Sequence, residues 1–85
     1  MIKVIKKDDN ITLTGHCREH DACMNLTGIV NAYRAIYTRY GYSDSIKAAP
    51  GYLHIKKIPP ALVYNSFLDV LDVFQKAYPS NVIPF

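Results

Sequence analysis

The segment Gly15-His16-Cys17-Arg18-Glu19-His20-Asp21-Ala22-Cys23 gathers two imidazoles and two thiols into nine residues. His16 and Cys23 stand seven positions apart, a spacing that suits nucleophilic catalysis if Cys23 lies where a helix begins. A thiol in the first turn of a helix feels the partial positive charge of unpaired backbone N–H groups, which favours the thiolate. An imidazole within reach completes a Cys/His pair by taking the thiol proton and returning it to a leaving amine. His20 competes with His16 for that role because it is nearer to Cys23 in sequence, although its plainer role is a helix cap or a solvent-facing side chain. The plain role of Cys23 itself is a small apolar residue where a helix meets a sheet.

The same side chains, His16, Cys17, His20 and Cys23, are also zinc-type donors. Structural zinc sites join two ligand pairs across a longer loop, and no second pair follows downstream. A small zinc-binding domain is therefore an alternative, while no metal and no cofactor is the expectation. His54, between Leu53 and Ile55 and followed by two lysines, reads as an exposed strand histidine. Asp69 and Asp72 sit at helical spacing as a solvated face, without the paired carboxylates of acid/base chemistry. No glycine-rich phosphate loop is present.

The elements that must position this segment follow from hydrophobic periodicity. Ile2 to Lys6 and Ile11 to Thr14 alternate apolar with polar residues around the turn-forming Lys7-Asp8-Asp9-Asn10, which predicts a β-hairpin. From Ala22 the period changes to three and four residues through Leu26, Ile29, Val30, Tyr33, Ile36, Tyr37 and Tyr40. This is a helix packed on a core, stopped at Gly41 and capped at His20 or Asp21. Tyr42 to Pro50 is a polar connection with room for a short strand, and Gly51 to Ile58 alternates as a strand. Pro59-Pro60 ends it and leads into a second helical stripe of Leu62, Val63, Phe67, Val70, Leu71, Phe74 and Tyr78. Asn81-Val82-Ile83 is a short closing strand. The order ββα(β)βαβ predicts a single α+β domain over residues 1–85, a small mixed or antiparallel sheet with two helices on one face.

Eighty-five residues allow one modest core. With 49% apolar and 20% charged residues and no low-complexity tract, the chain is expected to fold. No apolar run approaches the roughly 20 residues that span a bilayer, and Met1 to Lys7 lacks the apolar stretch of a secretion signal, so the expected location is cytoplasmic, away from membranes. Two cysteines in such a chain argue against a disulfide framework and leave free thiols, a metal site or a catalytic role. The net charge of +3 comes from scattered lysines, and Tyr33, Tyr37 and Tyr40 fall on an apolar helical stripe. Direct nucleic-acid binding is therefore not expected.

Gly15-His16, the short loop, and His20-Asp21-Ala22-Cys23-Met24-Asn25-Leu26-Thr27-Gly28-Ile29 together resemble the ribosomal-processing cysteine protease (Prp) family, with Thr27 in the position of a serine. Gly51-Tyr52-Leu53-His54-Ile55 resembles the family's central strand. Phe67 to Ala77 followed by Tyr78-Pro79-Ser80-Asn81-Val82 resembles its last helix, Tyr-Pro turn and closing strand, so the likeness covers nearly the whole chain. Three departures stand out. The loop between histidine and cysteine is about five residues shorter, Cys17 replaces a small residue, and His20 or Asp21 takes the place of an aspartate.

The resemblance implies a small α+β fold, often dimeric, with a Cys/His pair that cleaves an N-terminal extension from a ribosomal or phage structural protein. It casts Cys23 as nucleophile and His16 as general base, with Thr27, Asp21 and His20 in support. The alternative is a catalytically silent Prp-like fold that binds or assembles with a protein partner. Leu68 and Val73 lie off the main stripe of the second helix, which leads to an expected homodimer burying part of that helix or an edge strand.

Overall fold

The computed structural model describes residues 1–83. Strands β1 (Ile2–Lys6) and β2 (Asn10–Gly15) form the expected hairpin, with Val4 opposite Leu13 and Lys6 opposite Ile11. Their alternation turns Ile2, Val4, Ile11 and Leu13 to one face, none more than 3% exposed. β4 (Tyr52–Lys56) lies antiparallel to β2 and brings Leu53 and Ile55 to the same face, while β3 (Ile46–Ala49), the short strand within the polar connection, pairs with β4 on its outer side. β5 (Val82–Ile83) runs parallel to β1, so the sheet is mixed, in the order β3-β4-β2-β1-β5.

Two helices cover that apolar face. α1 (His20–Arg39) contributes Ala22, Tyr33 and Tyr37, and α2 (Ala61–Ala77) contributes Tyr64, Phe67, Leu71 and Phe74 to one continuous core with the strands. Tyr33 and Phe67 meet edge to face with ring centroids 5.1 Å apart, a favoured arrangement of ring quadrupoles. The Tyr37 hydroxyl donates to the Lys56 carbonyl at 2.7 Å. Among the described residues no helix is long and apolar enough to cross a membrane.

Some side chains depart from the expected stripes. Tyr40 is the C-cap of α1 and half exposed, because the stripe has rotated off the sheet by the last turn. In α2 the first turn overhangs the core, so Leu62 is 76% exposed and Tyr64 takes the buried place. Leu68 packs against the core rather than facing away from it. The large apolar side chains exposed on α2 reduce to Leu62 and Val73, with Ser66 and Asp69 between them on the same face.

Candidate active site

The site lies at one end of the sheet, where β2 ends, α1 begins and the β3–β4 turn closes. Gly15 has φ +103°, and a Cβ there would fall 2.1 Å from the Met1 carbonyl oxygen, so only glycine fits. Its N–H donates to the Gly51 carbonyl at 2.9 Å, tying the end of β2 to the turn before β4. His16 follows, exposed, with its ring against Gly51: a Cβ on Gly51 would sit 2.8 Å from Nε2 and 3.0 Å from Cε1.

Four residues carry the chain from β2 into α1, whose N-cap is Glu19 rather than His20 or Asp21. The Glu19 side chain makes no capping bond within the helix. The capping oxygen comes instead from Asn81, the buried polar residue at the far end of the sequence. Its Oδ1 accepts from the N–H groups of Arg18 and Glu19, the latter at 2.9 Å, and its Nδ2 donates to Glu19 Oε1 at 3.0 Å. Asn25 adds a second tie by donating to the Tyr78 hydroxyl at 2.7 Å. The C-terminal segment thus holds the start of α1 in place.

Cys23 is the fourth residue of α1, and its N–H makes the first helical bond to the Glu19 carbonyl at 3.0 Å. The expected first-turn position is what the structure has, but the expectation of no disulfide is overturned. Cys17 and Cys23 form a disulfide with Cα atoms 5.5 Å apart, leaving no free cysteine. The tight turn held by Asn81 folds Cys17 back onto the first turn of α1, a proximity that sequence distance alone does not reveal. Since consecutive Cα atoms are about 3.8 Å apart, the His16 Cα lies within about 9 Å of the Cys23 Cα.

A groove of about 410 Å³ extends from this corner between α1 and the β3–β4 turn. His16, Thr27, Val30, Arg34, Pro50 and Tyr52 are among its lining residues. Thr27, Val30 and Arg34 form part of the α1 wall of this groove, and Cys23, outside the lining itself, lies one helical turn before Thr27. His20 and Asp21 are exposed at the start of α1, outside this lining, and the Asp21 carbonyl accepts from Asn25 Nδ2.

Among the described residues no three histidine, cysteine, aspartate or glutamate side chains converge as metal donors. His54 is half-buried rather than exposed, and its Nδ1 shares a 2.9 Å hydrogen bond with the Thr12 hydroxyl across the β2–β4 pair. Asn81, Gly51 and Arg34 join the site without having been anticipated as members of it. The hydrogen bonds that recruit Asn81 span more than sixty positions, and no local pattern reports them.

No family model matches the chain, and no curated protein matches its sequence. Among solved structures, it superposes on the essential ribosomal processing protease Prp from S. aureus, crystallised with a covalently linked product peptide. The TM-score is 0.69 at 15% identity, over 98% of this chain and 94% of that one. The chain therefore has a Prp-like fold, a five-stranded mixed sheet with two helices.

Proposed function

We propose that this protein is a cysteine peptidase that works when Cys17 and Cys23 are reduced. One observation carries the reading: Cys23 occupies the first turn of α1 with its Cα within about 9 Å of that of His16, one helical turn before Thr27, which lines a groove together with that histidine. The fold supports it, being that of a protease solved with a product peptide covalently attached. In the reduced form the N-terminus of α1 favours the Cys23 thiolate. The sulfur attacks the carbonyl carbon of a peptide laid along the groove, and His16 delivers a proton to the leaving amine. Water then attacks the thioester, with His16 taking its proton and Cys23 leaving as thiolate. Thr27 contributes a hydroxyl to the groove wall.

The substrate class is a protein segment in extended form, with an N-terminal extension of a ribosomal or phage structural protein as the specific candidate. Fully reduced protein incubated with a proteome-derived peptide library provides the test. Wild type is expected to generate new peptide termini that Cys23→Ser and His16→Ala do not. Library peptides bound but left intact by the reduced wild type would overturn the peptidase reading in favour of a binding module.

A further inference from the structure

We propose that the Cys17–Cys23 disulfide is a reversible latch on the nucleophile, with Cys17 as its resolving cysteine. The proposal rests on the peptidase reading and adds a redox control to the same site. A disulfide leaves the Cys23 sulfur without a lone thiolate to attack a carbonyl, so the bridged form is inactive by construction.

The bridge is poorly placed to be a staple. It closes a loop of only seven residues, and the chain-entropy stabilisation of a disulfide shrinks as the loop shortens. That loop is already held by the Asn81 hydrogen bonds to Arg18 and Glu19, and the end of β2 by the Gly15–Gly51 bond. Both cysteines are partly exposed, so small thiols and peroxides can approach. The two sulfurs also differ in environment, because Cys23 lies in the first turn of α1 and Cys17 in the loop before it.

This asymmetry gives each direction of the switch a defined chemistry. In oxidation by hydrogen peroxide, the Cys23 thiolate attacks a peroxide oxygen and the O–O bond breaks, leaving Cys23 as a sulfenic acid and releasing water after protonation. The Cys17 sulfur then attacks the Cys23 sulfur, and the hydroxyl leaves as a second water. Two thiols and one peroxide become one disulfide and two waters. In reduction, a low-molecular-weight thiolate attacks the Cys17 sulfur and expels the helix-stabilised Cys23 thiolate. A second thiolate then attacks the external sulfur of the mixed disulfide and frees Cys17.

Glutathione buffers of graded redox poise, read by intact mass and by iodoacetamide labelling at Cys23, test the latch without a substrate. Wild type is expected to lose two hydrogens at oxidising poise and to lose Cys23 labelling with the same midpoint. Cys17→Ser is expected to carry either an alkylatable Cys23 or a single glutathione at every poise. After a pulse of excess hydrogen peroxide in thiol-free buffer, dithiothreitol is expected to restore labelling in wild type but not in Cys17→Ser, whose sulfenic acid has no neighbour to capture it and proceeds to sulfinic acid. A bridge that opens only after unfolding, or identical recovery of the two proteins, would overturn the proposal. Failure of the peptidase reading shows separately, as a reduced and fully alkylatable protein that cleaves no library peptide.

Discussion

The His16 ring rests directly against the Cα of Gly51, so close that a methyl group at residue 51 would approach Nε2 to 2.8 Å. Gly51 also has φ +75°, where side chains are strained. The β3–β4 turn is therefore the surface on which the proposed general base is seated. Its glycine is needed both for the turn and for the histidine.

Replacing Gly51 with alanine is expected to push the His16 ring off this seat while costing about 1–2 kcal/mol of backbone strain. The pH profile of Cys23 alkylation in the reduced protein reads the displacement, because an imidazole near the thiol leaves its own titration in that profile. We expect the histidine-dependent step to be lost in both Gly51→Ala and His16→Ala. An unchanged profile would mean that the seat is irrelevant to the pair.

Asn81 is expected to act as a positioning residue. Asn81→Ala removes the acceptor shared by the Arg18 and Glu19 N–H groups and should lower unfolding free energy by about 1–3 kcal/mol in denaturant titration. A readout specific to positioning is the rate at which reduced Cys17 and Cys23 reclose in oxidised glutathione. Loosening the loop is expected to slow closure, whereas Leu71→Ala, on the core face of α2 and at least as destabilising, should leave it unchanged.

Two buried tyrosines make a contrasting pair. The Tyr37 hydroxyl donates to the Lys56 carbonyl, whereas the buried Tyr64 hydroxyl has no partner among the described residues. Tyr37→Phe is expected to cost about 1–2 kcal/mol, and Tyr64→Phe to be neutral or stabilising, as measured by chemical denaturation.

Burial, with smaller contributions from Tyr64 and Tyr33, raises the Tyr37 pKa from 10.0 to about 12. A raised folded-state pKa means that the unfolded chain gives up its proton first, so stability falls as pH rises from about 10 to about 12. The loss should reach about 2–3 kcal/mol for such a shift. Tyr37→Phe is expected to flatten that alkaline limb in a pH series of thermal melts.

Reduction of the Cys17–Cys23 bridge should leave the fold intact, with a stability loss of no more than about 2 kcal/mol from so short a loop. Far-ultraviolet circular dichroism with and without a phosphine reductant measures this. Collapse of the signal on reduction would make the bridge a structural staple.

The sequence alone determined the elements, because alternation and three-to-four periodicity report which residues of a short segment face the same way. Ile2–Lys6, the α1 stripe and the first-turn position of Cys23 were legible on that basis, as was the α+β order. Tertiary structure decided what lies beside what. Nothing local to Asn81 says that its amide caps a helix starting at residue 20, and nothing local to Gly51 says that a histidine ring lies on it. The pairing of Cys17 with Cys23 was hidden for a related reason. Whether residues six apart touch depends on how tightly the chain turns into α1, and that turn is held from the opposite end of the molecule.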